Sequence, residues 1–179
     1  TIATPGNSLS FGSIVSLDRQ GGFQTPDATG DGFYGMTQSN VSGMEYIAID
    51  TPGNTRTFGT LVNCGNGAAA VSNGSRAIWG GGYWSSTSTV QIEYYTWSTA
   101  SNAVQYGRLQ QNQMEANGVD DGSRGCFGGG NRSGDAYPKI TYFSMDLAAS
   151  STAVIGATFG LLDEGVVNQT RSGTAAMAG

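Results

Sequence analysis

The chain contains no histidine. That removes Ser-His-Asp and Cys-His nucleophilic catalysis, histidine-ligated metals and the commonest general base. Carboxylates, arginines, two cysteines and aromatic rings remain. Asp120-Asp121 and Asp163-Glu164 are adjacent pairs, but neighbours in a strand or tight turn need not share a face, so both read as solvated turn residues. Glu45 and Glu93 recur at one position of a repeat, with Thr141 at the next step, which points to a structural role rather than to two catalytic carboxylates. Asp27 to Gly32 matches the first half of an Asp-x-x-x-Asp-Gly calcium loop, yet the twelfth position is Gln38, so an EF-hand is excluded and a plain turn is expected. Arg76 and Arg124 share one position, with Arg171 a shifted third. They could ring a channel mouth; pairing with a turn carboxylate or carbonyl is the expectation. Cys64 and Cys126 occupy non-equivalent positions, and Cys126 falls in an apolar strand slot, where a free buried thiol is expected. No metal or cofactor is implied. Tyr83, Trp84, Arg132 and Tyr137 have the composition of interface anchors and lie in loops that differ between repeats, at 83–89 and 131–138, as does 37–43. For Trp84, partial packing between sheets competes with that role.

These groups must be positioned by the repeat. Tyr46, Tyr94 and Tyr142 are evenly spaced and hold the same position in the segments VSGMEYIAID (41–50), TVQIEYYTWS (89–98) and YPKITYFSMD (137–146). Gly12, Gly59, Gly107 and Gly156 follow at intervals of 47, 48 and 49, and NGSRAIWGGG (73–82) returns as DGSRGCFGGG (121–130). Three markers in one register define units of about 1–46, 47–94, 95–142 and 143–179 within a single repeat domain, the last unit incomplete.

Glycine makes up 29 of 179 residues, about twice the usual share, and only 12% are charged. With abundant Ser, Thr and Asn, this favours tight turns over helices. Each unit reads as four short strands. In the second, GAAAVSNG (67–74) ends at Asn73-Gly74, a hairpin signal in which both turn positions take positive φ. RAIWGGG (76–82) follows, then a polar loop YWSSTS (83–88), the alternating strand TVQIEYYTW (89–97), and AVQYGRL (103–109). GRLQQNQMEANG (107–118) reads as a loop or a partly ordered strand. Phe11, Phe58, Tyr106 and Ile155 share a slot expected in the inter-sheet core, each before a glycine expected at a bulge or at positive φ. A four-stranded sheet cannot bury both faces alone. The predicted fold is therefore all-β: a β-propeller of four-stranded antiparallel blades, about four present. The triple glycines would let strands crowd near its axis.

A net charge of −5 with one lysine, Lys139, suits neither nucleic acid nor anionic membranes, and no apolar run is long enough to span a bilayer. No signal peptide is expected. Three routes to a closed ring stay open: a longer chain, an imperfectly closed four-bladed ring, or completion by another subunit.

The residues resemble kelch-type repeats, in which a glycine doublet ends the second strand, a polar loop follows, the third strand carries aliphatic-x-Tyr and the fourth an aromatic. The matches are Gly80-Gly81-Gly82, Ile92-Glu93-Tyr94 and Tyr106, then Gly128-Gly129-Gly130, Ile140-Thr141-Tyr142 and Ile155. The fourth-strand residue departs from the family's Trp, the spacing before it is longer, and the first unit has the single Gly35. The repeated phrases also look like repeat proteins encoded by marine bacteriophages, especially those of cyanobacteria. That resemblance implies a non-enzymatic, protein-binding propeller, virion-associated or extracellular (capsid decoration, vertex or tail), with other virion proteins as partners and a homo-oligomer as one form. The alternatives are a carbohydrate-binding propeller that stacks host-surface glycans on Trp84 and Tyr137, and a glycosidase using an Asp/Glu pair.

Overall fold

The structure, a computed structural model, describes residues 10–13, 20–22, 31–36, 43–48, 51–132, 135–136, 138–146 and 157–161. These residues form strands and turns, with no helix among them. β1 (Gln20–Gly22), β2 (Asp31–Met36), β3 (Gly43–Ala48) and β4 (Arg56–Thr60) make the first antiparallel sheet. The second consists of β5 (Ala69–Ser72), β6 (Arg76–Gly80), β9 (Gln91–Thr96) and β10 (Val104–Arg108). The third consists of β11 (Asn117–Asp120), β12 (Arg124–Gly128), β15 (Lys139–Ser144) and β16 (Ala157–Leu161). In sheets 2 and 3 a two-stranded hairpin interrupts the meander after the second strand: β7 (Tyr83–Trp84) with β8 (Thr87–Ser88), and β13 (Asn131–Arg132) with β14 (Asp135–Ala136). The segment 83–88, expected as a polar loop, is thus itself a hairpin.

Alternation along the strands explains the packing. In sheet 2, Ala77, Trp79 and Tyr95 turn one way, onto Met44, Phe58 and Leu61 of the sheet 1 side. Ala69, Val71, Ile78, Ile92 and Tyr106 turn the other way, onto Phe127, Phe143 and Met145 of the sheet 3 side. The middle sheet is therefore buried on both faces, and the three sheets stack in chain order. The stack is open among the described residues, which contain three sheets and no closed ring.

The repeat period reappears as geometry. Phe58 meets Tyr46 edge-on, with centroids 6.1 Å apart, and Tyr95 at 4.8 Å. One repeat later, Tyr106 meets Tyr94 at 5.6 Å and Phe143 at 6.4 Å. An aromatic from the fourth strand is wedged between its own sheet and the next. Phe58 and Tyr106 each sit at a bulge, since Gly59 pairs with Met44 while Thr57 pairs with Glu45, and Gly107 pairs with Ile92 while Gln105 pairs with Glu93.

In sheet 3 the same register break falls between Gly160, opposite Ile140, and Thr158, opposite Thr141. The bulge expected after Ile155 thus falls at Phe159 in the backbone register; Ile155 and Gly156 themselves lie outside the described residues. The displacement follows from loop length, because 145–156 joins β15 to β16 where 49–55 and 97–103 suffice in the other sheets. A fixed spacing counted from Tyr142 lands short of the true position. Phe11, assigned to the same slot, is 38% exposed rather than in the core.

The turn at Asn73-Gly74 also differs from expectation. Only Gly74 has positive φ, +80°, and the Asn73 N–H donates to the Arg76 carbonyl, so the two-residue loop is Gly74-Ser75. A positive φ at the first loop position alone is the II′ pattern. Asn73 stays outside the loop because its Oδ1 accepts from Ser75 N, Ser75 Oγ and Arg76 N. Asp121 accepts the same three bonds from Ser123 and Arg124. The triple glycines hold two successive positive φ values, +73° and +89° at Gly81 and Gly82, and a Cβ on Gly82 would lie 2.4 Å from the Gly65 carbonyl oxygen. Crowding is thus the reason for glycine there, as expected.

Candidate functional site

The hairpins β7–β8 and β13–β14 are held at one edge of the stack by equivalent pairs. Asn66 and Tyr83 exchange two backbone hydrogen bonds, of 3.1 and 2.8 Å, and one repeat later Met114 and Asn131 do the same, at 3.0 and 2.8 Å. Side chains then tie the hairpins together. Asn112 Nδ2 donates to Ser88 Oγ at 2.6 Å. Arg132 Nε donates to Asn112 Oδ1 at 3.1 Å, and an Arg132 terminal nitrogen to Gln111 Oε1 at 3.2 Å. Asn131 Nδ2 donates to Glu115 Oε2 at 2.7 Å.

Of the residues predicted as partner anchors, Tyr83 is 36% exposed, Arg132 is exposed and Trp84 is half-buried. Tyr137 lies outside the described residues. Arg132 belongs to the polar chain Ser88–Asn112–Arg132–Gln111, which runs between the hairpin bearing Tyr83 and its own. Sequence reasoning missed Gln111, Asn112 and Glu115. The signal was the polar run after Leu109, which reads as a loop or a partly ordered strand and not as a frame for the hairpins. Backbone strain marks the same edge: among the described residues the non-glycine positions with positive φ are Ser85, Ser86 and Glu115, at 46°, 66° and 56°. Such conformations cost free energy and persist where surrounding structure imposes them.

The remaining candidates have structural partners. Glu93 is fully buried, and its carboxylate accepts from the Val62 and Asn63 N–H groups at 2.8 and 2.6 Å, clamping the chain leaving sheet 1 to the centre of sheet 2. Glu45 is buried and accepts from the Thr55 hydroxyl. Asp120 accepts from Gly122 N and, across the sheet interface, from Ser72 N. Asp121 caps its turn and pairs with Arg124 at 3.4 Å; the N–H groups of Arg124 and Ser123, with the Ser123 hydroxyl, lower its carboxyl to about 2. Arg76 donates to the Met145 carbonyl and lies 5.0 Å over the Tyr94 ring. The two arginines thus have the turn-carboxylate and carbonyl partners expected. Of the other carboxylates considered, Asp163, Glu164 and Asp27 lie outside the described residues, as does Arg171.

The cysteines differ. Both are free; Cys64 is fully buried and Cys126 half-buried. Burial, then the charge of Glu93, pushes the Cys64 thiol well up, and its Sγ donates to the Gln91 carbonyl at 3.3 Å. Burial and then Asp121 raise Cys126.

No protein-family model matches the chain, and no curated protein matches it significantly.

Proposed function

We propose that this chain is a non-enzymatic propeller-type module that binds protein, as a component of a virion (capsid decoration, vertex or tail). The observation that carries the reading is the hairpin edge. Three stacked sheets hold Tyr83 and Arg132 in a strained, cross-linked ledge, while Glu45, Glu93, Asp120 and Asp121 cap turns or clamp chain segments. An exposed aromatic and an arginine set in a rigid polar frame are the ingredients of an interface anchor. The kelch-like repeat and the phage-like repeat phrases point the same way. Mass spectrometry of purified particles whose genome encodes the chain tests it. The chain at stoichiometric copy number is expected; its absence from particles would refute the assignment, and robust hydrolase activity of the purified protein would refute its non-enzymatic character.

A carbohydrate-binding role is favoured by one feature of the same ledge. Planar side chains of Asn112, Gln111 and Arg132 beside an exposed Tyr83 are the hydrogen-bonding and stacking groups a sugar uses. A glycan array that is positive for the protein and negative for Tyr83→Ala would establish it; a blank array removes it.

A further inference from the structure

The chain covers one outer face of its own stack. Residues 10–13 lie on sheet 1 as the end of β4 lies on sheet 2. The Thr55 N–H donates to the Ser13 carbonyl at 3.1 Å, as the Ala103 N–H donates to the Thr60 carbonyl at 2.8 Å. The Ser13 N–H donates to Asn54 Oδ1 at 3.0 Å, as the Thr60 N–H donates to Asn102 Oδ1 at 3.2 Å. A Cβ on Gly12 would run into the Gly53 carbonyl, as one on Gly59 would into that of Ser101. The segment that precedes sheet 1 in the chain therefore repeats, contact for contact, the way one sheet packs on the next.

The opposite outer face, on sheet 3, repeats the one that sheet 2 turns toward sheet 3. Val119, Cys126 and Tyr142 align across sheet 3 as Val71, Ile78 and Tyr94 align across sheet 2. Val71 is 2% exposed and Val119 38%; Ile78 is fully buried and Cys126 half-buried. A glycine marks the seat for what packs there. Gly80, opposite Ile92, receives the Phe127 ring of the next sheet, and a Cβ on it would collide with that ring. Gly128, opposite Ile140, is its counterpart one repeat on, and a Cβ there would meet only Ile140 Cγ1, at 3.6 Å. Neither glycine has a positive φ. Glycine at 128 is therefore called for neither by its backbone nor by the described residues around it; it leaves the room that Phe127 fills at Gly80.

The chain after β16 carries a residue for that seat. Phe127 stands in DGSRGCFGGG and its predecessor Trp79 in NGSRAIWGGG; SGTAAMAG (172–179) is a further copy, with Met177 at their position and Ala176 at that of Ile78 and Cys126. Trp79 and Phe127 each follow the bulge glycines Gly59 and Gly107 by 20 residues, and Met177 follows Gly160 by 17, so the order is kept on a connection three residues shorter. We propose that residues 162–179 of this same chain cover the outer face of sheet 3, with Met177 seated on Gly128 as Phe127 is seated on Gly80. An unbranched thioether fills such a gap without demanding one shape. The inference rests on the propeller-type reading. It assigns this face to the chain itself and leaves the hairpin edge as the surface for a partner.

The test uses the full chain, with circular dichroism to verify folding. On a bare face, Gly128→Ala adds a methyl in open room and removes a flexible glycine from a strand, so stability holds or rises. Under Met177 the methyl collides, so chemical unfolding should show a loss, part of which Met177→Ala restores in the Gly128→Ala background. Thiol labelling gives a second reading that leaves Gly128 in place. Cys64 is fully buried, so labelling of the native chain reports Cys126. Met177→Asp should speed it about tenfold or more while the protein stays folded. Sedimentation velocity should find wild type with Cys126 protected as a monomer. A Gly128→Ala variant at least as stable as wild type, or Cys126 labelling that Met177→Asp leaves unchanged, overturns the proposal. So does protection of Cys126 that vanishes as a dimer dissociates on dilution, which would give the face to a second copy. Absence of the chain from particles would sink the virion assignment and leave this contact standing.

Discussion

Replacing Glu93 with Gln should be among the most damaging isosteric changes available to this chain. The carboxylate is fully buried and accepts from Val62 N at 2.8 Å and Asn63 N at 2.6 Å. A carboxamide has the same shape but one acceptor oxygen, so one of the two N–H groups would face an NH2 donor. Val62 is 50% exposed and Asn63 half-buried, so losing one of the two bonds costs about 1 kcal/mol, and the remaining bond loses the strengthening of a charged acceptor, worth about 1 kcal/mol more. The expected loss is about 2 kcal/mol, or roughly 4–8 °C in Tm for a domain of this size. Chemical unfolding followed by the fluorescence of Trp79, Trp84 and Trp97 reads it directly. Glu115→Gln, at an exposed carboxylate, is the control and should stay within about 0.5 kcal/mol of wild type. A Glu93→Gln variant less than about 1 kcal/mol below wild type would mean that the clamp between the sheet 1 exit and sheet 2 does not hold the stack together.

Other consequences can be checked in the same assays. Gly82→Ala should cost far more than Gly74→Ala in chemical unfolding: φ is positive at both, but a Cβ at 82 meets the Gly65 oxygen at 2.4 Å, while at 74 it meets open space and pays only the left-handed penalty of about 1–2 kcal/mol. Asp121 titrates at about 2, below its unfolded value near 4, so its contribution is present above pH 4 and fades as pH falls from about 4 to about 2. Asp121→Asn, which copies Asn73, should keep the turn and flatten acid unfolding in that window when followed by circular dichroism. Cys64 should resist a thiol reagent at pH 8 until the protein unfolds; rapid modification of two thiols per native chain would contradict its burial. Tyr106→Phe removes the hydroxyl that donates to the Ser144 carbonyl at 2.5 Å and should cost about 1 kcal/mol in urea unfolding.

The period was legible because the residues that repeat are the ones that pack. Tyr46, Phe58 and Tyr95 return as Tyr94, Tyr106 and Phe143 because each sheet must offer its neighbour the same shape. Strand positions in sheet 2 followed from alternation, and the triple glycines from the need for positive φ and close backbone approach. Features set by three-dimensional closure were not legible. Nothing near Val62 or Asn63 announces that their N–H groups will be held by a carboxylate 31 and 30 residues on. The position of β16 was missed because a loop of different length broke the count. Asn73-Gly74 was misread because the side chain of Asn73, capping three donors, drew the residue out of the loop. At the hairpin edge, aromatic and arginine content drew notice to Tyr83 and Arg132, whereas the framing amides Gln111 and Asn112 have no distinctive spacing.

Sheet 2 is an adaptor with two unlike sides, and the same two sides are present on sheets 1 and 3. Removing residues 62–109 would join Leu61 to Gln110 and bring the surface of Met44 and Phe58 against that of Phe127 and Phe143, the counterparts of Trp79 and Tyr95 that it now meets. A gene of this kind can gain or lose one repeat-length piece by recombination between its own repeats, with the crossover at any point in the repeat, and still encode matching surfaces throughout. A duplication of half a repeat would strand half a sheet. Variation in copy number is thus a path by which such a lineage could change the span of its hairpin edge while leaving the chemistry of every sheet junction untouched.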